Sequence, residues 1–306
     1  MTSYAEPGRR TGRLWQVIHF PLVRIILASL VLLIGVGGVQ SIAIQPLRAA
    51  ASLSSPAALG WLAFYLASSV LVAFGCYGAY VRFVERRRVD ELSSARATRE
   101  LGWGGLIGGA LFAATLLLLW LLGYAHTTAT PGWTVVIAAL VVDITGAVVE
   151  ELLFRGILFR IVEEAIGTWL ALAVSVLVFS GLHAGNADAP LAMMVVVGLA
   201  GGLLPSAAYA RTRRLWLPIG IHIGWDLVQN SIFGVAIAGH QLPGVLHAPL
   251  PGPPLLTGGS MGPEGSIIAL VAALAVSIYL LARAVQHGLI VPPYWRRKLQ
   301  APPAIA

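Results

Sequence analysis

Long apolar stretches constrain this chain more than any other feature of its sequence. Windows near the roughly 17–25 residues needed to cross a bilayer recur along it. The chain is 58% hydrophobic and only 11% charged, which is far too apolar for a soluble domain of 306 residues. The sequence therefore predicts an all-α, polytopic membrane protein with about eight transmembrane helices. The eight windows lie at about 21–39, 59–83, 103–124, 133–160, 168–184, 189–209, 215–237 and 266–285.

The positions of arginine and lysine test this number of spans, because positive residues collect in cytoplasmic loops. With eight spans, the basic residues before the first span, after the second, between the sixth and seventh, and after the eighth all fall on one side. The outer loops then hold only Arg48. We therefore predict a multi-pass protein of the cytoplasmic membrane with both termini in the cytoplasm. A cleaved signal peptide within residues 1–45 is the alternative for the first stretch, but no convincing small-residue cleavage site follows it.

Charge and cysteine usage argue against other classes of protein. The net charge of +7 comes from residues in topology-setting positions that are not interleaved with surface aromatics, so nucleic-acid binding is not expected. The single cysteine, Cys76, allows neither an intramolecular disulfide nor a CxxC motif.

Composition also divides the chain into three regions. Residues 1–132 form a predicted N-terminal three-helix membrane region. Within it, residues 82–100 are predicted to be an amphipathic cytoplasmic linker whose charged side chains are simply solvated. Residues 133–237 form the polar-motif core. Residues 238–306 contain a Pro/Gly-rich outer loop, the last helix and a basic tail. The loop is predicted to be irregular and mobile and most simply an inert connector, the alternative being a cap over a polar cavity in the core. Overlapping small-xxx-small pairs predict close helix packing at Gly104, Gly105, Gly108 and Gly109.

Three ionisable residues stand in the middle of the fourth apolar window: Glu150, Glu151 and Arg155. Each costs about 2.5–3.5 kcal/mol at membrane depth, so such residues are kept mainly where they pair or act. Residues four apart share a helix face, whereas neighbours are turned by about 100°. We therefore expect Arg155 to neutralise Glu151 while Glu150 faces elsewhere.

Further polar residues occur in the fifth and seventh windows: His183, His222 and Asp226. If the fourth and fifth spans turn near Ile166 and Gly167, Glu150 and His183 lie at matching depths. His222 and Asp226 share a helix face but lie somewhat shallower, unless the seventh helix starts deeper or the 160–167 turn protrudes into the cytoplasm.

One carboxylate and two imidazoles converging with a further oxygen ligand suit a transition metal, most commonly zinc. A lone membrane histidine more often makes an interhelical hydrogen bond, but several polar residues in spans that can adjoin favour a site. Either a metal or a carboxylate base can generate a water nucleophile near neutral pH. The candidate metal ligands are Glu150, His183, His222 and Asp226.

These residues resemble the motifs of the CPBP intramembrane proteases, also called the Abi or CAAX-protease and bacteriocin-processing family. EExxxR is matched by Glu150, Glu151 and Arg155, FxxxH by Phe179 and His183, and HxxxN or HxxxD by His222 and Asp226. The resemblance covers about residues 133–235.

The resemblance implies that Glu150 is the general base and that His183, His222 and Asp226 bind metal or stabilise the oxyanion. It also implies that Glu151 and Arg155 give electrostatic support. Asp226 stands where the prenyl-protein proteases have asparagine, and its added negative charge favours a cation in the site.

The expected function is therefore an intramembrane endopeptidase of the glutamate type that cleaves a membrane-associated protein or peptide, with zinc a candidate cofactor. No HExxH motif is present, and Ser180-Gly181 lacks a GxSxG-like context. A non-catalytic binding or immunity protein and an ion-coupled transporter remain alternatives.

Overall fold

The computed structural model describes residues 12–49, 55–129, 133–182, 191–235 and 244–300. Within these ranges the chain is almost entirely helical, and one short antiparallel pair joins β1 (Thr128–Ala129) to β2 (Leu246–His247). The α-helices are α1 (Arg13–Ile18), α2 (Pro21–Ala49), α3 (Pro56–Ala79), α4 (Ala97–Leu121), α5 (Trp133–Glu151), α6 (Arg160–Ile166), α7 (Thr168–Leu182), α8 (Leu191–Val197), α9 (Leu204–Thr212), α10 (Trp216–Asp226), α11 (Pro254–Thr257), α12 (Ile267–Gln286) and α13 (Tyr294–Gln300).

Helices that are long and apolar enough to cross a membrane confirm the all-α, polytopic membrane class. Among the described residues there are five of these: Pro21–Pro46, Pro56–Val84, Asp90–Leu121, Met193–Thr212 and Ile267–Gln286. The shorter α7 is also apolar. Large side chains on these helices face outward, as lipid-facing residues do, with Ile34 70% and Leu71 71% exposed. The count of eight spans and the side of the termini stay predictions.

Helices α4 and α10 cross closely at the predicted small-residue positions. A Cβ atom on Gly104 would lie 2.5 Å from the carbonyl oxygen of Leu217 and 2.8 Å from Gly220 Cα, and one on Gly108 would overlap the carbonyl oxygen of Ile221. The prediction of close helix packing is thus confirmed for these two glycines. The crossing holds α10, which carries His222, against the N-terminal region.

Three π-helical segments interrupt the helices of the core: Leu152–Phe159 after α5, Gly198–Leu203 after α8 and Leu227–Ile232 after α10. A π-turn changes the direction of the side chains beyond it and is frequent at functional sites. Two of the segments begin directly after Glu151 and Asp226.

The linker 82–100 was predicted to be a run of solvated charges, but two of its acidic side chains are buried. The side chains of Glu85 and Glu91 are only 3% and 4% exposed. Glu85 Oε1 lies 2.8 Å from Arg24 Nη2 and 2.9 Å from Arg160 Nη2, and Arg87 Nη2 lies 2.6 Å from Glu91 Oε1. Helices distant in sequence supply two of the cations that contact Glu85, whereas Glu91 is paired with Arg87, four residues before it.

The segment before α12 is irregular, as predicted, but it is not an inert connector. It contains α11 and two 3₁₀ turns, Gly259–Met261 and Pro263–Gly265. Met261 is fully buried in a cluster with Phe154, Phe179, Met193 and Val197. The end of the outer loop therefore packs onto the polar-motif core. Residues 236–243, which were also predicted to be mobile, lie outside the described residues.

Candidate active site

The two adjacent carboxylates at the end of α5 occupy different environments. The Glu151 side chain is completely buried, whereas that of Glu150 is 44% exposed. Glu151 Oε1 lies 2.8 Å from Arg155 Nη1, and the Arg155 side chain is also completely buried. This confirms the pairing predicted from their spacing and leaves Glu150 facing elsewhere.

Arg155 is held by groups on several elements. Its Nη2 donates to the carbonyl oxygens of Gly201 and Gly202, in the π-helical segment after α8. Its guanidinium carbon lies 5.7 Å from the ring centroid of Phe154 and 5.8 Å from that of Phe179. Carbonyl oxygens, aromatic faces and one carboxylate together compensate for removing this cation from water.

His222 joins α10 to this ion pair. Its Nδ1 lies 2.9 Å from Glu151 Oε1. Because an ionised carboxylate can only accept hydrogen bonds, Nδ1 carries the hydrogen and donates it. The same carboxylate oxygen thus accepts from Arg155 and from His222, which sets the orientation of the imidazole ring.

The other nitrogen of His222 faces two further carboxylates. Nε2 lies 3.3 Å from Asp226 Oδ2 and 3.9 Å from Glu150 Oε2. The structure therefore brings together Glu150, Glu151, His222 and Asp226, as the motifs predict. His222 of the seventh predicted span thus lies beside Glu150 of the fourth, and Arg160 at the start of α6 contacts Glu85 of the linker.

A buried aspartate that sequence reasoning missed also belongs to this cluster. Asp143 is 5% exposed and accepts hydrogen bonds from Asn230 Nδ2 and Ser231 Oγ, both at 2.7 Å. It precedes Glu150 by seven residues, which is two helical turns and the same face of α5. That spacing of an acid inside an apolar span was the signal available in the sequence.

These side chains line a cavity of about 340 Å³. Its polar wall includes Asp143, Glu150, His222 and Asp226, and Phe179 belongs to the lining. Apolar residues of α5, α9, α10 and the segment 197–204 form most of the remaining surface. The outer loop contributes Glu264, a second residue that the sequence did not single out.

His183, the remaining predicted catalytic residue and metal ligand, lies outside the described residues. Within the described ranges, no group of three histidine, cysteine, aspartate or glutamate side chains is placed to hold a metal ion. His222 does have the Nδ1 hydrogen bond to a carboxylate that is common for metal-binding histidines. The described donors alone therefore do not assemble a metal site.

A protein-family match covers the part of the chain that contains the candidate site. Residues 131–228 match the family model described as type II CAAX prenyl endopeptidase Rce1-like. No curated protein and no solved structure matches the chain. The match begins two residues before the predicted core and ends just beyond Asp226, so it covers all of the predicted motif residues. Residues 131–228 of this membrane protein are therefore similar to the Rce1-like family of CAAX endopeptidases, which are proteolytic hydrolases.

Proposed function

We propose that the protein is a glutamate-type intramembrane endopeptidase in which Glu150 activates the water that attacks the peptide bond. The observation that carries this proposal is the contrast between the two carboxylates. Glu151 is buried and already accepts from Arg155 and His222, whereas Glu150 lines the cavity with its side chain 44% exposed. A general base must reach both water and substrate, so Glu150 is the carboxylate suited to that role.

In the proposed reaction, Glu150 takes a proton from a water molecule, and the water oxygen forms a bond to the carbonyl carbon of the substrate. The carbonyl π electrons move onto oxygen, and in this proposal His222, as an imidazolium with hydrogen on both ring nitrogens, donates from Nε2 to that oxyanion. When the tetrahedral intermediate collapses, the C–N bond breaks and protonated Glu150 returns its proton to the departing amine. The products are a carboxylic acid and an amine, and the enzyme is regenerated.

Glu151 is proposed as a positioning residue for His222, and Arg155 as the cation that pairs with Glu151. Asp226 lies close enough to Nε2 of His222 to influence its hydrogen bonding. The motif resemblance adds His183 as a further proposed member of the site. Zinc binding stays a separate hypothesis, with Glu150, His183, His222 and Asp226 as its proposed ligands.

The substrate is a peptide or protein in the membrane. We propose a segment that presents its peptide bond at the polar end of the cavity while apolar side chains or a lipid group contact the apolar wall. The proposed modules are the N-terminal region 1–132, the catalytic core 133–237 and the C-terminal region 238–306, with the protein in the cytoplasmic membrane.

The test is cleavage of a quenched-fluorescent library of membrane peptides by purified wild type, Glu150→Gln and Glu164→Gln. Glu164 is a matched control because its side chain is also 44% exposed but lies in the ion network with Arg24 and Arg160. We expect Glu150→Gln to lower kcat by at least about 100-fold and Glu164→Gln to change it little.

Equal activity of wild type and Glu150→Gln would overturn the proposed role of this residue. Absence of cleavage by folded wild type, together with an unchanged cellular phenotype of Glu150→Gln, would favour a non-catalytic binding protein. Parallel reactions with a chelator and with added zinc test the metal: activity that survives complete metal removal supports Glu150 alone, and zinc-restored activity supports metal dependence.

A further inference from the structure

A second cavity of about 580 Å³ lies apart from the candidate active site. It is formed where α4 begins, α9 ends, α10 begins and α12 ends. Six arginines line it against one carboxylate, Glu100. The arginines are Arg96, Arg99, Arg211, Arg213, Arg214 and Arg283.

Only part of this positive charge is neutralised by the protein. Arg214 Nε lies 2.9 Å from Glu100 Oε2, and Arg213 Nη1 lies 2.5 Å from Glu163 Oε2. Arg283 donates to the neutral side chain of Gln286 at 3.0 Å. The remaining three arginines have no carboxylate partner among the described residues. The cavity therefore presents an excess of guanidinium groups, which bind phosphate oxygens in a bidentate geometry.

The remainder of the lining is apolar and adjoins the outer surface. Ile107, Leu217 and Leu280 form part of the wall. Trp103 and Tyr279 also line the cavity and are 57% and 63% exposed. Exposed tryptophan and tyrosine are typical of the level at which a membrane protein meets the lipid headgroups.

An anionic phospholipid has the chemistry that matches both parts of this cavity. A free phosphate ion would need only the arginines, whereas a phospholipid also places glycerol and acyl groups against the apolar and aromatic wall. Basic pockets between membrane helices on the cytoplasmic side bind anionic headgroups, and the arginine distribution predicts that this end is cytoplasmic. We propose that this cavity binds the headgroup of an anionic phospholipid.

The position of the cavity gives such binding a structural consequence. Arg213 and Arg214 lie in the connection from α9 to α10, and Leu217 lies in the first turn of α10. A bound headgroup would therefore connect the beginning of α10 with α4 and α12. This inference does not depend on catalysis, so it can be tested on protein without any substrate.

The experiment compares lipid binding by two variants that lose the same charge. Arg96→Gln/Arg99→Gln/Arg211→Gln removes the three cavity arginines without carboxylate partners. Arg82→Gln/Arg86→Gln/Arg88→Gln removes three exposed arginines outside this cavity. Native mass spectrometry measures retention of phosphatidylglycerol and phosphatidylcholine by the full chain, and thermal unfolding in detergent checks that each variant is folded.

We expect wild type and the control triple variant to retain phosphatidylglycerol in preference to phosphatidylcholine. The cavity variant is expected to bind phosphatidylglycerol at least about tenfold more weakly, since each interfacial cation contributes appreciably to anionic lipid binding. If the triple cavity variant does not fold, Arg99→Gln and Arg211→Gln are measured singly, and each is expected to weaken binding.

Equal weakening in the cavity and control variants would overturn the proposal, because it would show diffuse surface attraction. Unchanged binding by the folded cavity variants would overturn it as well. Glycerol phosphate and inorganic phosphate are measured as soluble probes. If either binds as tightly as phosphatidylglycerol, the cavity is an anion site and the assignment to a lipid is wrong.

Discussion

The hydrogen bonds of a single carboxylate oxygen connect the main parts of the candidate site. Glu151 Oε1 accepts from Arg155 on its own helical segment and from His222 on α10. Its other oxygen and Arg155 Nε are buried without a hydrogen-bond partner among the described residues. A buried pair of this kind is sensitive to loss of one member, because the other charge is then left uncompensated.

This sensitivity predicts different effects of substitution at the two adjacent glutamates. Glu151→Gln leaves Arg155 buried without a countercharge and should lower the free energy of unfolding by about 3–5 kcal/mol. Glu150→Gln should reduce activity with a much smaller change in stability, because its side chain is partly exposed. Thermal unfolding in detergent and peptide cleavage, measured on both variants, would separate the two roles.

A double substitution provides the control for this prediction. Glu151→Gln/Arg155→Met removes the uncompensated cation and should recover part of the lost stability. Activity should not recover, because His222 has lost its carboxylate acceptor. A double variant as unstable as Glu151→Gln would contradict the electrostatic explanation.

The hydrogen bonds of Asp143 lead to a second prediction about a single residue, which concerns stability. Asp143→Ala removes the acceptor of two buried donors, Asn230 Nδ2 and Ser231 Oγ. We expect a loss of about 2–3 kcal/mol of stability, since an unsatisfied buried donor costs about 1–3 kcal/mol. Chemical denaturation in detergent would measure this loss, and a cost near zero would show that the donors find other partners.

At the scale of elements, the crossing of α4 and α10 determines where His222 lies. A methyl group on Gly108 would overlap the carbonyl oxygen of Ile221, the residue before His222. Gly108→Ala should therefore separate the helices and lower activity by at least about tenfold, as small misplacements of catalytic groups can. Gly102→Ala is the control on the same helix, because its Cβ would meet no atom within 4 Å.

Cleavage rates and thermal unfolding of these two glycine variants would test the role of the crossing. An active Gly108→Ala with wild-type unfolding temperature would show that the helices can relax without moving His222.

The outer loop is the second element whose packing concerns the site. Met261 is fully buried against Phe154 and Phe179, and Glu264 lines the cavity three residues later. Met261→Ala should cost about 2–5 kcal/mol, the usual range for removing a buried methionine side chain. Unfolding measurements combined with protease susceptibility of the loop would show whether this contact holds it in place. A variant with wild-type stability and loop protection would contradict this role.

Across the whole molecule, buried ion pairs connect α2, the linker and the beginning of α6. Burial by itself would raise the pKa of the Glu85 carboxyl, but the nearby guanidinium groups of Arg160, Arg24 and Arg87 lower it to about 2. A lowered folded-state pKa means that Glu85 contributes stability above its unfolded pKa of about 4.5. That contribution is lost as the pH falls from about 4.5 towards 2.

We therefore expect the unfolding temperature of wild type to fall over this pH range more steeply than that of Glu85→Gln. Shifting the pKa from 4.5 to about 2 corresponds to about 3 kcal/mol. Asp90→Asn is a suitable control, because the Asp90 side chain is 75% exposed and lies 3.5 Å from Arg88. Identical acid profiles for wild type and Glu85→Gln would show that this carboxylate does not set the acid stability.

Local patterns in the sequence were sufficient to predict the class of fold and some of the residues of the candidate site. Apolar segments of bilayer length predict membrane helices, and the four-residue spacing predicts the Glu151–Arg155 pair, since both depend only on helical geometry. The motif spacing likewise led to Glu150, His222 and Asp226, which the structure brings together.

Tertiary structure alone decided the contacts between distant elements. These include the hydrogen bond from His222 to Glu151, the donors that surround Asp143, the burial of Glu85 and the packing of the outer loop on the core. Helical periodicity determines which residues share one face of one helix, but it does not determine which helix that face will meet. That choice depends on close packing over the whole molecule, as the contact of Gly108 with Ile221 illustrates.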